Sequence, residues 1–242
     1  MTPVHLFIPC LVEQFMPEAG LAAATVLDRA GATVHYPQGQ TCCGQPLYKS
    51  GHEAAARDMA LRFLHLFEDA ERVVAPSGSC VHMVRDTYPQ LLADDPAACA
   101  QAKALGARTF ELTEFLVREF GVTNLGARFD GTVAYHDSCQ VGRALGLHDE
   151  PRALLKAVDG LTLAEFEGQN ECCGFGGPFS VQYPGISEAL LDDKLDALLA
   201  SGAVAVTAAE PSCLLHIRGG LQHRSADMRV LHIAEILAGG AA

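Results

Sequence analysis

Thr41-Cys42-Cys43-Gly44-Gln45-Pro46 is answered 130 positions later by Glu171-Cys172-Cys173-Gly174-Phe175-Gly176. The echo extends outward in both directions. Upstream, 31 residues separate Cys10 from Cys42 and 32 separate Cys139 from Cys172. Downstream, 36 lie between Cys43 and Cys80 and 39 between Cys173 and Cys213. Each cysteine of the first set maps onto the second with an offset of 129 to 133 positions, the mark of an internally duplicated chain.

Neighbouring residues repeat as well. Pro76-Ser77-Gly78-Ser79-Cys80-Val81 faces Ala209-Glu210-Pro211-Ser212-Cys213-Leu214, each after an apolar run, Val73-Val74-Ala75 or Ala203-Val204-Ala205-Val206. Each half closes on a similar amphipathic segment, Leu112-Thr113-Glu114-Phe115-Leu116 or Ile233-Ala234-Glu235-Ile236-Leu237. The halves differ mainly by extra residues around 94–106 in the first. The division expected is therefore residues 1–128 and 129–242.

Within each half, short apolar runs alternate with segments of helical period. Strands are expected at 4–8, 33–36 and 72–75, with helices at 17–30 and 52–68. The second half repeats the order: strands at 132–135, 161–163 and 203–206, helices at 152–158 and 186–200. Such alternation predicts an α/β fold of two tandem lobes, each a small, mainly parallel sheet with crossover helices. Every cysteine of the doubled pattern then lies just past the C-terminal end of a strand, the edge where open α/β sheets place their sites.

Eight of the nine cysteines belong to the doubled pattern. Thiolates are soft ligands for zinc and for iron-sulfur clusters, so two sets of four imply two metal or cluster sites. An odd cysteine count does not suit a closed disulfide framework, and adjacent cysteines rarely reach disulfide geometry without strain. Gly44, Gly174, Gly176 and Gly177 would let backbone amides approach a bulky inorganic core. Zinc modules usually show paired Cys-x-x-Cys knuckles, which this chain lacks; zinc remains the alternative in one site.

Composition narrows the function class. A formal charge of -12, with only 17 Lys plus Arg, argues against nucleic acid as a partner. The 49% hydrophobic content supplies a sizeable core, yet no stretch reaches the ~20 apolar residues that span a bilayer. The opening residues do not have the basic-then-apolar profile of a secretory signal, so a cytoplasmic location is expected.

The doubled Cys, Cys-Cys-Gly, Cys arrangement resembles the cysteine-rich CCG domain found in heterodisulfide reductases and in the iron-sulfur subunits of glycolate oxidase. Within that superfamily, Cys42-Cys43-Gly44-Gln45-Pro46, Pro76-Ser77-Gly78-Ser79-Cys80, Cys172-Cys173-Gly174-Phe175-Gly176-Gly177, Ser212-Cys213-Leu214-Leu215 and His232-Ile233-Ala234-Glu235 look like the lactate utilization protein A family. The resemblance covers essentially the whole chain. It implies an iron-sulfur electron-transfer subunit of an L-lactate oxidation system. Its partners would be a ferredoxin-like multi-cluster iron-sulfur subunit and a third small subunit.

On that resemblance, Cys10, Cys42, Cys43 and Cys80 would hold one centre, and Cys139, Cys172, Cys173 and Cys213 the other, each expected to be a 4Fe-4S cluster. The fuller motif of the superfamily ends in Cys-x-x-Cys, whereas Ser77 and Glu210 stand at the earlier position here. A 4Fe-4S centre, a site completed by an oxygen ligand and zinc all stay open. Glu210 reads better as a carboxylate at a helix N-terminus than as a ligand. His82, His136 and His216 flank the cysteines, but exposed or core-packed roles are preferred for all three. Arg143 is read as a surface residue and Cys99 as a buried, inert thiol. Two other function classes remain: a zinc-stabilised interaction subunit without redox duty, and a thiol-disulfide enzyme.

Overall fold

The structure, a computed structural model, describes residues 2–239. β1 (Thr2–Leu6) leads into α1 (Cys10–Phe15) and α2 (Pro17–Arg29), and β2 (Ala32–His35) into α3 (Gln45–Lys49) and α4 (Glu53–Leu66). β3 (Val73–Ala75) is followed by α5 (Gly78–His82), a π-helical turn (Met83–Thr87), α6 (Tyr88–Leu91) and α7 (Pro96–Gly106). β4 (Thr109–Glu111) runs into α8 (Leu112–Glu114) and a second π-helical turn (Phe115–Glu119).

The second half retraces this path. β5 (Arg128–Tyr135), a π-helical turn (Gln140–Ala144) and α9 (Asp149–Lys156) precede β6 (Asp159–Ala164). Then come α10 (Phe179–Gln182), α11 (Pro184–Ala200), β7 (Ala205–Ala208), α12 (Pro211–His223), β8 (Arg229–His232) and α13 (Ile233–Leu237).

The sheets have the same order, β2-β1-β3-β4 and β6-β5-β7-β8, with every pair parallel. This is the α/β architecture expected from the duplication. In each sheet the chain winds one way from the first strand and the other way from the third. Their adjacent C-terminal ends therefore diverge into a crevice, the topological switch point. Cys10 and Cys80 follow β1 and β3; Cys139 and Cys213 follow β5 and β7.

Several element ends differ from the sequence reading for local reasons. β1 stops at Leu6 rather than residue 8, because the Gln40 side chain takes over its edge. Gln40 accepts from the Ile8 N–H at 2.8 Å and donates to the Leu6 carbonyl at 2.9 Å. β4 and β8 were not expected. Each is short, and its backbone finds partners only beside β3 or β7. The extra segment of the first half forms α7, whose N-cap Asp95 accepts from the Ala97 and Ala98 N–H groups.

The two repeats exchange their closing helices. α13 of the second half lies on α2 of the first, where Ile233, Ile236 and Leu237 join Ala22, Ala23, Val26 and Leu27 in one buried cluster. α8 and the turn after it pack in the same way on α9 of the second half. The main core thus draws on both sheets, with Val4, Leu6 and Phe115 beside Phe129, Val133 and Leu154.

Glu111, at the start of α8, is fully buried and forms a capping box with Glu114. Desolvation pushes its carboxyl up to about 8, against the hydrogen bonds from Thr113 and the Glu114 N–H. The ordinary value, 4.5, applies to the unfolded chain. The folded state therefore holds a proton that the unfolded chain releases. The stabilisation is whole below about pH 4.5 and is lost as the pH rises through about 8. Glu111→Gln is expected to flatten the fall in stability across this window. Urea unfolding at a series of pH values checks it, and an unchanged slope would contradict the assignment.

Candidate metal centre

Each site is assembled by three strand ends. In the first, Cys10 opens α1, Cys42 and Cys43 lie in the loop after β2, and Cys80 sits in the first turn of α5. In the second, Cys139 precedes a π-helical turn, Cys172 and Cys173 follow β6, and Cys213 lies in the first turn of α12. Gly44 and Gly174 make both double-cysteine loops possible. They adopt φ of +83° and +91°, where a side chain is strained. A Cβ on Gly174 would also lie 2.4 Å from the Ser187 carbonyl oxygen.

These loops bring the sulfurs of each set together. In the first set Cys42 is hydrogen-bonded to Cys10 and Cys43, and the Cys43 thiol donates to Cys80 Sγ at 3.3 Å. The N–H of Gly44 adds a donor to Cys42 Sγ at 3.4 Å. Hydrogen bonds from Cys10 and Cys43 hold Cys42 well below the ordinary thiol range, while Cys10 and Cys43, as donors, are pushed up. Cys42 is thus held toward its thiolate form.

The second set matches it. The Cys139 thiol donates to Cys172, which also accepts from the Gly174 N–H at 3.3 Å. Arg143 reaches the Cys139 sulfur and opposes the rise in its pKa, so this exposed arginine does touch the site. Cys173 and Cys213 are buried against each other.

All eight cysteines line one cavity of about 360 Å³ between the two sheets. The seam beneath it is fastened by Glu210, which is 1% exposed. Its carboxylate accepts from the Ser79 N–H (2.7 Å) and hydroxyl (3.1 Å) of the first half. It also accepts from the Ser212 N–H (3.3 Å) and hydroxyl (2.7 Å) of the second. The reading of Glu210 as the N-cap of α12 holds, and its second role, as a clasp between repeats, was not foreseen. Ser77 is buried at the N-cap of α5, with its hydroxyl 3.3 Å from that of Ser79.

The histidines separate into three cases. His82 is partly exposed beside Asp86, and His216 is half-buried, with Ser187 Oγ 3.2 Å from its Nε2. His136 is 1% exposed; among the described residues neither ring nitrogen has a partner of good hydrogen-bond geometry, although the Gln169 backbone lies near enough to oppose the fall in its pKa. Burial, with the charge of Lys194 adding to it, pushes its pKa down to about 3 and keeps the imidazole neutral. One His136 nitrogen and the sulfurs of Cys173 and Cys213 all lie within 4.8 Å of one another. Lys194 itself is buried, donating to the Gly168 carbonyl and lying over the Phe166 ring. Sequence reasoning missed Lys194, although the apolar period of α11 places it on the buried face. Cys99 is only partly buried, not fully as expected, and its thiol donates to the Pro89 carbonyl at 3.3 Å.

A profile of the cysteine-rich CCG domain matches residues 4–85 and 133–218. A protein named lactate utilization protein A from Exiguobacterium sp. is 44% identical over 98% of this chain and 97% of its own length. The chain belongs to the lactate utilization protein A family. Relatives of the same name from Bacillus velezensis and Bacillus subtilis (strain 168) are 44% and 43% identical, each over 97% of this chain and 98% of theirs. The doubled CCG domain of the lactate utilization protein A family is thus present here as two clustered sets of thiols suited to binding metal.

Removing the clasp should loosen the seam. Glu210→Ala leaves the donors of buried Ser79 and half-buried Ser212 unsatisfied and is expected to cost about 2–4 kcal/mol. Urea unfolding measures this, and a loss below about 0.5 kcal/mol would place the seam elsewhere.

Proposed function

We propose that this chain is the iron-sulfur electron-transfer subunit of an L-lactate oxidation complex. The observation that carries the proposal is the convergence of eight thiols, in two sets of four, on a single cavity. The relatives named lactate utilization protein A support the substrate. In this reading Cys10, Cys42, Cys43 and Cys80 hold one 4Fe-4S cluster, and Cys139, Cys172, Cys173 and Cys213 hold the other. Residues 1–128 and 129–242 act as one cluster-binding repeat each.

The donor set fits the group. Four thiols per site satisfy cysteine ligation, and backbone N–H groups of Gly44 and Gly174 already point at sulfur. A bound iron-sulfur cluster supplies the capacity to take up and release single electrons. The protein's share is to hold the ligands and keep out water. Cys43 and Cys80 sit among Phe7, Phe63 and Tyr88; Cys173 and Cys213 sit among Leu191, Leu195 and Leu198. Tyr88 donates to the Cys43 carbonyl at 2.8 Å, fixing the loop from behind. Cys43 and Cys173, both pushed up, are protonated when free, so loading a centre releases protons and is favoured by rising pH.

The complex would include a ferredoxin-like multi-cluster iron-sulfur subunit and a third small subunit, and would work in the cytoplasm. Among the described residues, no helix is long and apolar enough to cross a membrane. Zinc in one site is the second reading, because four thiolates also complete a tetrahedral structural site.

Anaerobic purification with iron and acid-labile sulfide assays is the test. The expected result is a chromophore that bleaches on reduction, with Cys42→Ser and Cys172→Ser each removing one of two centres. A protein that takes up zinc alone and shows no reducible chromophore would overturn the proposal.

A further inference from the structure

The two repeats can be superposed through their own hydrogen bonds. Phe7 donates its N–H to the Val74 carbonyl at 2.9 Å, and His136 donates its N–H to the Thr207 carbonyl at 2.8 Å. The pairing of Leu6 with Val74 and of Tyr135 with Thr207 makes Phe7 and His136 equivalent positions. The helices behind them align as well. Gly44 closes on Ala56 and Gly174 on Ser187, and the buried faces then match, Ala60 with Leu191 and Leu64 with Leu195. In that register Phe63 corresponds to Lys194.

The first centre is thus backed by two phenyl rings, Phe7 and Phe63, packed edge to face at 4.9 Å. The second has an imidazole and an ammonium at the same places. Phe7 and His136 are equally buried, at 1% exposure. Burying an imidazole where a phenyl ring suffices is costly, because both ring nitrogens lose water and, among the described residues, gain no well-formed hydrogen bond. A neutral imidazole always presents one nitrogen lone pair, and one of the two His136 ring nitrogens lies within 4.8 Å of both the Cys173 and Cys213 sulfurs. The segment is held rigidly. Asp137, next in sequence, is buried, donates its N–H to the Gln169 carbonyl at 3.0 Å and binds Arg152 at 3.0 Å.

We propose that His136 is a metal ligand of the second centre beside Cys173 and Cys213, taking the place of one of the four cysteines assigned to that centre above, so that the two centres are chemically different. The first is bound by thiolates alone; the second has mixed nitrogen and sulfur ligation. Neutral imidazole donates less negative charge than thiolate, and histidine ligation raises the reduction potential of iron-sulfur centres. The second centre is therefore the one on which an electron comes to rest. The inference rests on the iron-sulfur reading for its redox consequence, but not for the ligation itself.

The test uses the full chain, labelled with ¹⁵N at histidine only, loaded anaerobically with iron and sulfide and then reduced. Pulsed electron paramagnetic resonance is expected to show coupling to a directly bound histidine nitrogen. His136→Cys and His136→Phe should both lose that coupling. His136→Cys should keep the iron content and lower the higher of two midpoint potentials. Iron-loaded wild-type protein without the coupling, or coupling that survives in either variant, would overturn His136 ligation and leave the electron-transfer reading standing. Failure to bind iron at all would overturn the electron-transfer reading instead. The cobalt(II)-loaded protein then decides ligation: a ligand-field spectrum altered by His136→Cys supports it, and an unchanged one refutes it.

Discussion

The Glu210 carboxylate, buried at the seam with two donors from each repeat, fixes how the two sheets face each other. Its four partners are all neutral, two backbone N–H groups and two serine hydroxyls. Both N–H groups belong to the opening turns of α5 and α12, where the ends of the helix dipoles favour negative charge. Cys80 and Cys213 lie in those same turns. One interaction therefore sets the alignment of the helices and the position of a sulfur from each set. The close approach also explains Gly78, whose Cβ would lie 2.4 Å from a Val141 methyl group of the other repeat.

The fold was legible wherever the sequence pattern reported a local constraint. The buried faces of α2, α4 and α11 follow helical period, and the strands before the cysteines are apolar because helices cover the sheets. Legibility stopped where structure depends on partners distant in sequence. β4 and β8 are strands by virtue of β3 and β7, and β1 ends where a glutamine from another loop intervenes. The candidate site shows the same division. Cysteine spacing identified the thiols that converge, whereas the clasp by Glu210 needs Ser79 from the opposite repeat.

His136 and Lys194 show what duplication offers a careful reader. Aligned repeats have the same backbone task at each position, so a change from aromatic to polar at a buried position stands out. Phe7 and Phe63 show that packing alone could have filled both places. The Cys42 and Cys172 loops, by contrast, keep the same glycine and the same N–H to sulfur bond in both repeats. Shared features build the cradle, and the difference between repeats makes its two sides chemically unlike.

The exchanged end helices bear on how such a chain can exist at all. A lone repeat would leave the Ala22, Ala23, Val26 and Leu27 face of α2 open to water, because its cover comes from α13 of the other repeat. It could close that face only by dimerising with a second copy of itself, at a cost that grows with dilution. Joining both copies in one polypeptide makes closure intramolecular, and the effective concentration no longer depends on expression. It also frees the copies from symmetry. A homodimer must carry the same residue at both equivalent positions, whereas a fused pair can place phenylalanine behind one set of sulfurs and histidine behind the other.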